Sequence, residues 1–233
     1  MAEPGPGSQA DPIAEEARGR PVRARRVGIL GGSFDPPHRG HLHAARAARS
    51  AFELDELRFV PAARPPHKPG RVLAPARHRL RLLELLLAEE PGFTIDPREL
   101  DRPGPSFTVA TLRELTEELP GQELFLVLGG DNLAGLADWR DVEEVLALAR
   151  PIVVQREEDL DRALAAAGAK LSEAARSRLR AGLVREPPLE ASSTELREAL
   201  GAGAAPGLRL PPALRDYIER EGLYRDAPFS DSP

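Results

Sequence analysis

The stretch Gly31-Gly32-Ser33-Phe34-Asp35-Pro36-Pro37-His38-Arg39-Gly40-His41 constrains this chain more than any other. Before it, Arg26-Val27-Gly28-Ile29-Leu30 is a short apolar run after a basic leader, the pattern of a buried parallel strand. After it, Leu42, Ala45, Ala48, Ala51 and Phe52 recur at helical spacing. The turn therefore joins the C-terminal end of a strand to the N-terminus of a helix, where unpaired N–H groups and the helix dipole favour phosphate. Gly31 and Gly32 have no side chain to hold a ligand off the backbone, and Pro36 and Pro37 stiffen the loop. His38 and His41, at i and i+3, are expected at the head of the helix, facing the same anion.

At 233 residues the chain has room for one large α/β domain with a small C-terminal addition. We expect a disordered leader over 1–22, where Pro, Gly, Ser and charge mix without an apolar period, one domain over 23–225 and a frayed tail over 226–233. A net charge of −5 argues against a broad nucleic-acid surface while allowing a local basic pocket. The absence of cysteine excludes disulfides, thiolate nucleophiles and cysteine-based zinc sites. It fits a cytoplasmic protein. No apolar run approaches the roughly 20 residues that cross a bilayer, so no membrane partner is expected.

Further strands are expected at Glu56–Pro61, Phe93–Asp96, Leu124–Leu128 and Pro151–Gln155. Alternation with the leucine-rich helix from Pro75 to Ala88, and with helices after Thr108, Asp141 and Ser193, predicts a Rossmann-like doubly wound parallel sheet with a small helical C-terminal part. Pro211 to Tyr224 reads as an amphipathic closing helix. The loop from Ala62 to Pro69, with Arg64, His67 and Lys68, is either a phosphate site or a solvated basic connection. Arg77, His78, Arg79 and Arg81 read mostly as a solvated helix face. Ser106 or Thr108 suits an N-cap. Gly129-Gly130-Asp131-Asn132 is a second glycine turn at a strand end, and the crevice rule sets it beside the first; Asp131 there binds ribose hydroxyls or caps a helix. Trp139, the only tryptophan, reads on its own as core. Ser192, Ser193 or Thr194 caps a helix whose first turn, with Arg197, forms an anion cup. The stretch Asp159 to Gly182 has little chemical signal and is a candidate interface for a homo-oligomer.

Neither a Walker loop nor a Gly-x-Gly-x-x-Gly fingerprint is present at the first turn, which argues against P-loop kinases and ordinary dehydrogenases. GGSFDPPHRGH instead resembles the signature of the nucleotidylyltransferase superfamily, with its His-x-Gly-His element at His38 to His41. ARPPHK at Ala63–Lys68, SFTVATL at Ser106–Leu112, GGDNLAGLADW at Gly129–Trp139, SSTELR at Ser192–Arg197 and YIEREGLY at Tyr217–Tyr224 follow in order. Together, over about residues 26 to 225, they resemble the blocks of bacterial nicotinate-nucleotide adenylyltransferases.

The resemblance implies adenylyl transfer from ATP to nicotinate mononucleotide, giving deamido-NAD and pyrophosphate in NAD synthesis. It implies His38, His41 and Arg197 as the catalytic groups, and Gly31, Gly32, Ser33, Phe34, Gly129, Asp131, Ser193 and Thr194 with them around ATP. It sets Lys68 near the mononucleotide phosphate, Thr108 near the nicotinate carboxylate, Trp139 against the pyridine ring and Asp131 facing the nucleotide sugars. No side-chain metal site is implied; Mg²⁺ is expected on the ATP phosphates. Two departures stand out: Phe107 and Ala110 replace the tyrosine and aspartate common in the third block, and Ala191 replaces an isoleucine before the SST element. The alternatives are another adenylyltransferase, such as one for nicotinamide mononucleotide, and a non-catalytic nucleotide-binding regulator of the same fold.

Overall fold

The computed structural model describes residues 23–66, 72–129, 132–133, 135–155, 157–186, 189, 191–204 and 207–225. The leader 1–22, the tail 226–233, His67, Lys68 and Asp131 lie outside the described residues. Strands β1 (Arg26–Gly32), β2 (Glu56–Pro61), β3 (Phe93–Ile95), β4 (Glu123–Leu128), β5 (Arg150–Val154) and β6 (Leu183–Val184) form one sheet in the order β3-β2-β1-β4-β5-β6. Every pairing is parallel. The expected doubly wound sheet is therefore present, with β6 as an additional edge strand.

Successive residues of the central strands alternate between two cores. Phe125, Val127, Ile152 and Val154 pack with helices α1 (Arg39–Phe52), α2 (Ala76–Leu87) and α9 (Pro212–Arg220). Leu124, Leu126, Leu128 and Val153 pack on the other face with α4 (Thr108–Glu118), α5 (Val142–Leu148), α6 (Glu157–Ala167) and α7 (Glu173–Ala181). Between β3 and α4 lies one further short helix, α3 (Arg98–Asp101), and after β6 comes α8 (Ser193–Gly201). Burial on both faces explains why the strands read as continuous apolar runs.

The stretch Asp159 to Gly182 is two helices rather than one. Ser172 separates them, capping α7 by accepting from the Ala175 N–H at 3.1 Å. β6 was not legible as a strand because it is only two residues long. Gly182 sets its position: a Cβ there would meet the Pro151 carbonyl at 1.9 Å, so only glycine lets the chain close against β5.

The chain runs from β1 out to β3 and then crosses back to β4 beside β1. The direction of winding reverses between β1 and β4, and their C-terminal ends border the crevice where such sheets bind ligands. Among the described residues no helix is long and apolar enough to cross a membrane.

Candidate active site

The glycine turn leaves β1 at Gly32 and enters α1 at Arg39, with His38 extended at the N-cap (φ −151°, ψ 172°). No acidic residue occupies the first turn of α1, so the positive end of that helix is not offset by its own side chains. The His38 and His41 rings lie 3.8 Å apart at 31°. The His38 backbone N–H donates to Nδ1 of His41 at 3.2 Å. A ring nitrogen that accepts a hydrogen bond does not carry the proton of a neutral imidazole, so His41 is held with its proton on Nε2.

Phe34 lies edge-on to His41 at 5.0 Å and against Phe59 at 5.7 Å. Its side chain is fully buried and packs against the edge of the His41 ring. Burial lowers the pKa of His38 to about 4, which keeps this ring neutral at physiological pH. A Cβ on Gly40 would sit 3.0 Å from two atoms of the His38 ring and 3.3 Å from the Ala191 Cβ. Glycine at this position lets the His38 ring and the segment before α8 both close on the helix end.

Four distant segments hold the turn. The buried Asp35 carboxylate accepts from the Ala74 N–H at 3.2 Å and from the Tyr224 hydroxyl at 2.9 Å. Burial, and next the negative charge of Asp35, push the Tyr224 hydroxyl well above its ordinary pKa, so it stays a donor. Arg79 is also buried, contrary to the expected solvated face. It donates to the carbonyls of Ala74 at 2.9 Å, Ser33 at 2.9 Å and Ala62 at 2.8 Å. The reason is local: the Ser33 and Ala62 carbonyls lie where the chain leaves β1 and β2, that of Ala74 just before α2, and one guanidinium can serve several at once.

α8 docks on the same turn. Ser192 is the N-cap residue, accepting from the Thr194 N–H at 3.2 Å. The Ser193 hydroxyl donates to the Pro36 carbonyl at 3.0 Å, and Arg197 donates to the Asp35 carbonyl at 2.7 Å and to Thr194 Oγ1 at 3.1 Å. Arg197 thus fastens α8 to the turn, and Arg209, paired with Glu195 at 2.8 Å, lines the cavity. Arg209 carried no sequence signal; it follows a short connection with no motif.

Two cavities meet at the end of β1, and Gly31, Gly32, Ser33 and Asn132 line both. The first lies on the α4 side and is walled by Phe107, Thr108, Trp139 and Arg140. The second lies over the N-termini of α1 and α8 and is lined by His38, His41, Gly129, Ser193 and Thr194. Trp139 is therefore a cavity wall that also packs on the core beneath it, which joins the two readings of this residue. A Cβ on Gly31 or Gly129 would meet nothing within 4 Å, consistent with open space at both glycine turns.

The expected N-cap at Ser106 or Thr108 is corrected: Phe107 is the N-cap residue of α4 and no side chain caps it. The Ser106 hydroxyl instead accepts from the N–H groups of Ala63 and Arg64 at 2.9 and 3.2 Å, tying the loop after β2 to the head of α4. Glu99 was not singled out from sequence, yet it is buried and lines the first cavity. Thr111 donates to it at 2.5 Å and accepts from Arg102 at 3.0 Å. Burial raises the Glu99 pKa, and the Thr111 hydrogen bond and the charge of Arg102 oppose that rise. Among the described residues no group of three or more His, Cys, Asp or Glu could hold a metal ion.

Comparison with known proteins shows the family and the fold. Two relatives curated under the name "probable nicotinate-nucleotide adenylyltransferase" match nearly end to end. That of Roseiflexus sp. (strain RS-1) is 42% identical over 202 residues, covering 85% of this chain and 98% of the relative. One from Thermus thermophilus is 42% identical over 200 residues, covering 86% and 100%. Among solved structures, the Plasmodium falciparum nicotinic acid mononucleotide adenylyltransferase complexed with NaAD has the same fold, at a TM-score of 0.67 and 20% identity over 86% of this chain and 97% of that one. The same enzyme complexed with APC gives a TM-score of 0.65. Residues 29–199 match the cytidylyltransferase-like family, and with these relatives the chain belongs to the nicotinate-nucleotide adenylyltransferases within it.

Proposed function

We propose that the protein transfers the adenylyl group of ATP to nicotinate mononucleotide, forming deamido-NAD and pyrophosphate in NAD biosynthesis. The observation that carries this reading is the wall shared by two cavities, one lined by histidines and helix N-termini, the other by Trp139, Phe107 and Thr108. ATP occupies the histidine-lined cavity with its phosphates toward His38, His41, Ser193 and Thr194. Nicotinate mononucleotide occupies the tryptophan-lined cavity, with its pyridine ring against Trp139 and its carboxylate toward Thr108. Arg140, whose guanidinium lies 4.8 Å over the Phe107 ring, supplies positive charge at that end.

The chemistry asks little of a base. The mononucleotide phosphate is already anionic near neutral pH, and one of its oxygens attacks the α-phosphorus. The bond from that phosphorus to the β-phosphate bridging oxygen breaks, and pyrophosphate leaves with the electron pair. The need is in-line positioning and relief of the charge that builds on the α-phosphate and the leaving group. The Nε2–H of His41, fixed by the hydrogen bond at Nδ1, is a preorganised donor for that charge. The neutral His38 and the open N-terminus of α1 add to it without a proton transfer. Mg²⁺ bound to ATP would neutralise the triphosphate; the described residues would meet it through the nucleotide.

Purified protein with ATP, Mg²⁺ and either nicotinate or nicotinamide mononucleotide, assayed for pyrophosphate and dinucleotide, tests the reading. Turnover with the acid is expected to exceed turnover with the amide clearly. A preference for the amide would overturn the substrate assignment, and no turnover with either would overturn the activity.

A further inference from the structure

Gln155 follows the last residue of β5 and is only 7% exposed. Its Oε1 is sealed from solvent and has no hydrogen-bond partner among the described residues. A buried amide oxygen left unpaired is unfavourable, and such an atom in a native fold calls for an explanation. Gln155 also lines the second cavity, together with His38 and His41. The same cavity wall carries the apolar or small residues Leu30, Ala44, Val154, Leu189 and Ala191, beside the polar His43, Glu195 and Arg209. Leu189 is 45% exposed, one of two large hydrophobic side chains this exposed among the described residues.

We propose that Gln155 reads the base of the nucleotide bound in this cavity and makes the site selective for adenine; this rests on the proposed occupancy of the cavity by ATP. A carboxamide presents an acceptor and a donor side by side. Adenine presents the complement, a 6-amino donor beside a ring-nitrogen acceptor, and glutamine pairs with that edge in two parallel hydrogen bonds. When the nucleotide binds, the carboxamide turns toward the cavity, so that Oε1, unpartnered among the described residues, accepts from the 6-amino group while Nε2 donates to the neighbouring ring nitrogen. The small residues leave room for a flat ring, and the base covers the exposed face of Leu189. No motif of the phosphate site involves Gln155, and nothing in β5 beyond its apolar run draws attention to it.

The test is an equilibrium titration of the full chain with Mg²⁺–ATP and with purine riboside triphosphate, which lacks only the 6-amino group. Wild type is expected to bind ATP about tenfold more tightly than the purine analogue, the worth of one hydrogen bond. Gln155→Leu should bind both nucleotides alike, at the weaker affinity, so the ratio falls from about ten to about one. Gln155→Met, closer in shape to glutamine, should behave the same way and guards against loss of folding, which thermal unfolding monitors. If both variants keep the wild-type ratio, Gln155 does not read the base. If wild type binds no ATP, the proposed occupancy fails and this inference falls with it, a result distinct from an unchanged ratio.

Discussion

The two cavities on either side of the β1 terminus are built on different principles. The histidine-lined one is made of fixed dipoles: two helix N-termini, a ring locked in one tautomer, and hydroxyls at the head of α8. The tryptophan-lined one is made of shape, with Trp139 and Phe107 as walls and a buried carboxyl, Glu99, held by Thr111 behind them. On the proposed reading, one side stabilises charge that changes during the reaction and the other recognises a ring that does not. If so, damage to the first should appear in turnover and in pH dependence, and damage to the second in substrate binding alone.

The largest effect should come from pH. The His38 pKa is about 4 in the folded protein against 6.5 when unfolded. As pH falls through 6.5 the unfolded chain takes up a proton that the folded site refuses, so stability is full above that value and is lost on acidification. Between pH 7 and pH 4 this contributes about 3 kcal/mol of destabilisation. Urea unfolding across that range should show His38→Asn losing less stability than wild type by this amount; equal losses would remove the buried histidine as the cause.

Next, His41→Ala should lower kcat by about two orders of magnitude, roughly 2.7 kcal/mol, with the melting temperature little changed. Near-normal turnover would break the idea that the fixed Nε2–H matters. Tyr224→Phe should cost about 2 kcal/mol of stability, since Asp35 loses a donor while remaining buried. Chemical denaturation measures it, and a loss below a few tenths would mean Tyr224 does not clamp the turn. The smallest effect sharpens the contrast. Trp139→Ala should raise KM for nicotinate mononucleotide about tenfold, the worth of one stacked ring, and leave KM for ATP within about twofold. Equal increases in both would erase the distinction between the cavities.

Much of this was legible in one dimension. β1, β2, β4 and β5 are apolar runs buried on both faces, and period alone locates them within a residue or two. The glycine turn, its two histidines and a cap among Ser192, Ser193 and Thr194 read directly, because local backbone needs dictate those residue types; the structure selects Ser192. Residues whose role depends on what approaches from elsewhere did not. Arg79 looked like its solvated neighbours until three carbonyls from β1, β2 and the segment before α2 closed on it. Ser106 suits a cap as well as it suits the loop clasp it forms. The hydrogen bonds by which Arg197 fastens α8 to the turn, and the place of Arg209 on the cavity wall, had no local signal either.

The sequence by itself determined the alternation of strands and helices and the presence of an anion-binding turn, because hydrophobic period, glycine and capping residues act over a few neighbouring positions. Tertiary structure alone decided which imidazole nitrogen carries the proton, that Arg209 lines the cavity and which side chains are left buried without a partner. Those outcomes depend on groups far apart in the chain meeting within about 3 Å, where hydrogen bonding is set by distance and angle rather than by residue type.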